Sequence, residues 1–238
     1  MNRATVLKNN RDFPTVLADT DFYISGSDIK VGHADLLPGT ATQAPLVFQS
    51  GTFLTTPLPG AVEFDGTDLY YTTGSVRRNI TARPFISAFS TASQAAASPT
   101  SENIFTFTDV PYSAYIHLSS STKFKVDYPG LYNIQFSIQF TNDENNVEHQ
   151  AGSWLKKDGN NVADTYSEIT VPGKHGGGKG QSILALNLYE VILSGSYIEL
   201  AWWADDTDVY IETLPTQSSP TRPKAPSIIL TMNKVDYL

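Results

Sequence analysis

The stretch Gly173-Lys174-His175-Gly176-Gly177-Gly178-Lys179-Gly180 comes within one residue of a phosphate-binding loop, in which backbone N–H groups cradle phosphates, a lysine reaches them and the next hydroxyl holds magnesium. Residue 180 is glycine, so that hydroxyl is missing, and no helix is evident after it whose N-terminal dipole would face a phosphate. The stretch therefore reads as a glycine loop joining two strands, with His175 as a candidate receptor contact. Asp205, Asp206 and Asp208 offer the oxygens that calcium prefers. Their spacing does not complete a calcium loop, however, and a turn between two strands explains them equally well. Structural calcium on these three aspartates is the one cofactor left open; otherwise none is expected. Asp143-Glu144-Asn145-Asn146 forms a second acidic loop with the same two readings. Catalysis has little support. The chain has no Gly-x-Ser-x-Gly elbow, and its four histidines (His33, His117, His149, His175) show neither nucleophile nor metal-ligand spacing. A carboxylate pair for glycoside cleavage is defined in space and not by spacing, so a carbohydrate-active enzyme stays as a rival. Tyr112, Tyr115, Tyr166 and Tyr210 each carry an apolar face and a polar tip suited to stacking on a sugar ring. Tyr166 and Tyr210 join His175 as receptor-contact candidates.

The elements that must position these residues read as β-strands. Glycine (16) and proline (14) punctuate runs rich in Val, Ile, Thr, Tyr and Phe. The strongest strand is Leu131 to Phe140, where Tyr132, Ile134, Phe136, Ile138 and Phe140 alternate with polar residues, so one face is buried. Tyr115–Leu118, Lys123–Val126 and Ser227–Asn233 read as further strands. Trp154-Leu155-Lys156 and Val162-Ala163 flank Asp158-Gly159-Asn160-Asn161, a hairpin signature. Ile183 to Leu193 is apolar on both period-2 faces. It is either a helix or a strand covered once by its own sandwich and once by a neighbouring subunit, and the β surroundings favour the strand. Tyr197 to Ala204 is two-faced as well, which puts Trp202 and Trp203 on opposite sides. Leu184, Leu186, Leu188, Ile192 and Trp203 are the residues expected at a subunit interface. The first hundred residues hold only short runs, at Leu46–Gln49, Val62–Phe64 and Leu69–Thr72, with Asp65-Gly66 marking a hairpin; Ser87–Ser101 reads as a linker.

Composition narrows the partners. Of 238 residues, 24 are acidic and 16 basic, a net charge of −8, which is the wrong sign for holding phosphates; nucleic acid and anionic membrane are not expected partners. The absence of cysteine excludes disulfides, zinc-thiolate sites and thiol catalysis. No apolar run reaches the roughly 18 residues of a membrane span, and the start shows no secretion signal, so a soluble protein made in a cytoplasm is expected.

Two stretches resemble known virion proteins. FKVDYPGLYNIQFSIQF from Phe124, WLKKDGNNVADT from Trp154, VPGKHGGGKG from Val171, WWADDTDVYIE from Trp202 and PTRPKAPSIILTM from Pro220 resemble the jelly-roll domain of bacteriophage virion proteins, similar in pattern to the complement globular-head and tumour-necrosis-factor superfamily. The segment from Ala44 to Arg78 resembles one that recurs in phage tail-fibre proteins. The resemblance implies an all-β protein with four parts: an N-terminal anchoring segment (1–43), a β-hairpin neck (44–86), a linker (87–102) and an antiparallel β-sandwich jelly roll (103–238). It implies a non-enzymatic homotrimer on the virion surface, made in the host cytoplasm. Residues 1–43 would grip other virion proteins, and the jelly roll would face a host glycan or protein. A tail fibre or receptor-binding appendage is the first reading; a head fibre or capsid decoration protein is the second.

Overall fold

The computed structural model describes residues 38–236, and the expected anchor at 1–43 falls almost wholly outside them. Residues up to Phe48 and residues from Gln49 onward form two compact units. In the first, the described part holds a turn closed by the Thr40 N–H on the Gln43 carbonyl (2.8 Å), and the run at Leu46–Gln49 is not a strand. Everything else belongs to the second unit.

That unit is entirely β among the described residues, and its strand pairings are all antiparallel. A meander of β1 (Val62–Phe64), β2 (Leu69–Thr73) and β3 (Val76–Asn79) comes first, turning at Asp65-Gly66 as its sequence indicates. It is too small to bury a core. Arg77 binds Glu63 (2.7 Å) and lies over the Phe53 ring. Buried Asp68 accepts hydrogen bonds from the Thr81 hydroxyl (2.8 Å) and from the Tyr128 phenol (2.7 Å), which fastens the meander to the rest.

There follow β4 (Phe85–Ser90), β5 (Gln94–Ala95), β6 (Asn103–Ile104), β7 (Asp109–Ala114), β8 (Ile116–Ser119), β9 (Lys123–Val126), β10 (Gly130–Asn142), β11 (His149–Lys157) and β12 (Asn160–Asn161). The chain continues through β13 (Ser167–Val171), β14 (Gly180–Ile192), β15 (Tyr197–Ala204), β16 (Val209–Ile211), the small hairpin of β17 (Gln217–Ser218) and β18 (Thr221–Arg222), and β19 (Ile228–Asp236). In one sheet β10 pairs β14 along its whole length on one edge, with β19 and β16 on the other; β4 continues from β19 and β7 from β4. In the second sheet β15 lies between β11 on one side and β9 and β6 on the other, with β13 and β12 beside β11 and β8 beside β9.

The inner faces of the two sheets share one core, a β-sandwich arrangement. Tyr132, Ile134, Phe136, Ile138 and Phe140 of β10 are all buried in it, so the alternation in that strand does give its inward face. Trp202 is 1% exposed and lies between Phe105 (ring centroids 5.8 Å apart) and Phe140 (6.0 Å), linking the sheets. The hairpin at Asp158-Gly159 turns with both residues at positive φ (50° and 81°), the conformation its sequence selects.

Two sequence expectations need correction. The linker assigned to Ser87–Ser101 is in part built structure, at residues 87–90 and 94–95. β4 is an interior strand between β19 and β7, with Ile86, Ala88 and Ser90 buried, and β5 pairs β16. Small residues within a strand have the same composition as a linker, so composition alone does not separate the two. The sandwich therefore starts with β4 and not at residue 103. A chain cut at Glu102 would lose an interior strand.

Candidate functional site

β14 carries the largest correction. Leu184 is 7% exposed, Ile192 is fully buried, and Leu186 and Leu188 pack against the same core. These four residues expected at a subunit interface belong to the protomer's own interior. The outward set is Ile183, Ala185, Asn187, Tyr189 and Val191, with Ile183 64% and Tyr189 60% exposed. Apolar residues on both faces of the strand do not tell which face is inward.

Cross-strand register extends this outer face over five strands. Ala185 is opposite Ser137, which pairs Ile229, which pairs Phe89. Asn187, Gln135, Thr231, Ser87 and Tyr112 form the next row, and Tyr189, Asn133, Asn233 and Phe85 the one after. Ile183, Tyr189, Val191, Ile229, Phe85 and Tyr112 are all exposed there. An amide ladder runs between them: Gln135 Nε2 donates to Asn133 Oδ1 (2.7 Å), and Asn133 Nδ2 donates to Asn187 Oδ1 (2.5 Å). A shallow depression of about 450 Å³ lies over the small side chains of Ser137 and Ala185. The face thus combines large apolar side chains, fixed amides and a recess.

Trp203 lies elsewhere, on the outer face of the second sheet, as the alternation with buried Trp202 requires. It cannot share a surface with the outer residues of β14. Its indole N–H donates to the Tyr166 phenol oxygen (2.9 Å).

No model of a known protein family matches the chain, and no curated protein matches it. The chemistry must therefore be read from the residues alone.

At one end of the sandwich the three loops singled out by sequence meet. His149 Nε2 contacts Glu144 Oε2 (2.6 Å) and its Nδ1 contacts Asp205 Oδ1 (2.9 Å). Lys179 donates to Tyr210 and to Glu212 (2.7 Å), and the Tyr210 phenol donates to Asp143 (3.1 Å). The Lys174 N–H donates to the Glu144 carbonyl (2.7 Å), and the Asp143 N–H to the Asp208 carbonyl (3.1 Å). Asp206 Oδ1 accepts from the Asp208 N–H (2.8 Å), as in a turn. Among the described residues, the carboxylate and imidazole atoms that gather within 4.8 Å are those of Glu144, His149 and Asp206, not those of Asp205, Asp206 and Asp208 together. When both of its ring nitrogens carry protons, His149 offers no lone pair to a cation. Spacing could not reveal this cluster, because its members come from loops separated by up to sixty residues.

The glycine stretch is a hairpin tip. His175 and Gly178 exchange backbone hydrogen bonds (3.0 and 2.9 Å) around Gly176 and Gly177, both at positive φ, and β14 follows in place of a helix. Its flanking glycines are there for packing: a Cβ on Gly173 would stand 2.5 Å from the Val147 backbone, and one on Gly180 would stand 1.6 Å from the Pro172 carbonyl oxygen. Gly180→Ala should therefore cost about 3 kcal/mol through overpacking, whereas Gly178→Ala, whose Cβ would make only an ordinary contact 3.5 Å from the His175 carbonyl oxygen, should cost far less; chemical denaturation compares them. His175 is exposed at the tip, but Tyr210 is half-buried and engaged by Lys179 and Asp143, which leaves it poorly placed to contact a receptor.

Burial pulls the His149 pKa down, while the Glu144 hydrogen bond and the charges of Asp205 and Asp206 push it up, and the balance lies above its ordinary 6.5. A group whose pKa is raised on folding stabilises fully below its unfolded value and loses that contribution as pH rises through the folded value. His149→Gln should therefore lower the melting temperature more near about pH 6 than near about pH 9. Equal losses in thermal scans at the two pH values would show that the imidazolium does not hold these loops.

Proposed function

We propose that the chain is a non-enzymatic bacteriophage virion protein: a trimeric tail fibre or receptor-binding appendage that presents a jelly roll to the host surface. The carrying observation is the outer face of the β14–β10–β19–β4–β7 sheet, with exposed Ile183, Tyr189, Ile229 and Phe85 around an ordered amide ladder. In the proposed trimer, neighbouring copies packed about the three-fold axis would cover these side chains and could engage the ordered amides. Strand order supports the jelly-roll reading. The chain crosses between sheets at β5 to β6, β6 to β7, β7 to β8, β9 to β10, β10 to β11, β13 to β14, β14 to β15 and β15 to β16, and the longer strands take the orders β7-β4-β19-β10-β14 and β8-β9-β15-β11-β13. Two such interleaved antiparallel sheets are what a double Greek key produces. The virion assignment rests on the resemblance of residues 44–78 and 103–238 to phage structural proteins.

Light scattering on the full chain tests the assembly. The expected mass is three times the 26.0 kDa of one chain, and a stable monomer overturns it. The virion assignment is tested by detecting the chain in gradient-purified particles, and consistent absence from them refutes it.

A further inference from the structure

We infer that the outer face of the second sheet carries a carbohydrate-binding groove built from Trp154, Tyr166 and Trp203, whose ligand is a neutral pyranose of a surface glycan. The inference rests on the host-surface reading above and supplies its contact site. The groove, about 440 Å³, lies within the range of small-ligand sites. Trp154 and Trp203 project outward from β11 and β15, and the Tyr166 ring comes in from the segment before β13.

Gly152 makes this possible. It pairs Trp203 across the strands, and a Cβ on it would stand 2.7 Å from Tyr166 Cε2 and 2.8 Å from the Tyr166 hydroxyl. Bare backbone at that one position lets the ring settle onto the sheet, 6.2 Å from Trp154 between centroids.

The polar atoms of the three rings are already engaged. Trp203 Nε1 donates to Tyr166 Oη, Tyr166 donates to Glu168, and Trp154 Nε1 donates to Asn161 Oδ1 (2.8 Å). These bonds fix the rings and leave their faces, not their N–H groups, for a ligand. Tyr166 is still 50% exposed. Asn161 Oδ1 also accepts from Lys156 (3.1 Å), so the amide is held with its Nδ2 donors directed elsewhere, and no described residue takes them. Asp164 on the rim adds an exposed carboxylate acceptor. A sugar offers an apolar C–H face edged by hydroxyls, matching rigid aromatic faces edged by an amide donor and a carboxylate acceptor. The protomer's own core cannot claim these rings, because it lies on the opposite side of the sheet with Leu155 and Trp202. Self-association through β14 would use the other sheet and leave the groove open.

Tryptophan fluorescence of the full chain, titrated with maltotriose, chitotriose and lactose, tests this. Two of the three tryptophans line the groove, while Trp202 is sealed in the core and gives a constant background. At least one sugar should give a saturable change, weakened about tenfold or more by Trp154→Ala and by Tyr166→Ala. Tyr166 is exposed, so its variant should fold even where the tryptophan variant does not. No saturable change with any of the sugars up to roughly 30 mM, or unchanged affinity in a folded Tyr166→Ala, overturns the groove. Light scattering on the same samples separates the two readings. A trimer that binds none of the sugars loses the groove and keeps the assembly; a monomer that binds loses the assembly and keeps the groove.

Discussion

Tyr189→Asp should convert the proposed trimer into a folded monomer. Tyr189 stands 60% exposed on the outer face of β14, so a carboxylate there leaves the protomer core untouched. In the proposed assembly the same carboxylate would be buried without a partner, at a cost of several kcal/mol per subunit. Ile183→Asp, three pleat repeats away on the same face, should act alike. Light scattering should report one protomer mass with an unchanged circular dichroism spectrum, and a trimer in both variants would place the interface elsewhere. Leu186→Asp is not a useful probe, because Leu186 packs against the protomer core and its replacement would unfold the subunit before association could be read.

Trp202→Ala should destabilise the sandwich by about 4 kcal/mol, the usual loss for a large aromatic removed from a closed core. The ring lies between Phe105 and Phe140 and so bridges the sheets. For a domain of this size the melting temperature should fall by roughly 10 °C. Trp202→Phe should cost much less, and for a specific reason: the buried indole N–H has no hydrogen-bond partner among the described residues, so removing it gives up no bond. Equal losses for Ala and Phe in urea titrations would indicate that Nε1 is satisfied after all.

How much of this was legible beforehand depended on contrast along the chain. β10 was readable because five aromatic or branched residues alternate with Asn, Gln and Ser, and one face alone was apolar. β14 was readable as a strand but not as an orientation. Leu184 and Ile183 are equally apolar, and only tertiary packing decides that the first goes inward. β4 was invisible as a strand because Ser87, Ala88 and Ser90 leave little hydrophobic signal, although Ala88 and Ser90 are fully buried. The opposition of Trp202 and Trp203 followed from the strand period. Tyr166 was singled out as a sugar contact, whereas its nearness to both outer tryptophans depends on Gly152, a residue no motif marks. The His149 cluster had no sequence signature, since Glu144, His149 and Asp205 meet only when two loops fold back at one end.

The place of β19 bears on how the protein comes into being. β19 lies between β10 and β4, and Ser227 bonds the backbone of Ser90 across 137 residues of chain. Until β19 has left the ribosome, β4 and β10 have no common neighbour, and each exposes an open edge that can pair with another chain. Closure of the sheet is therefore a late, long-range event of the slow kind that high contact order imposes. The face proposed for association, built across these same strands, exists only once that event is complete. The proposed assembly would thus have a built-in checkpoint: a chain without β19 in place has no face to offer, and its unpaired edges leave it most open to misassociation while it waits.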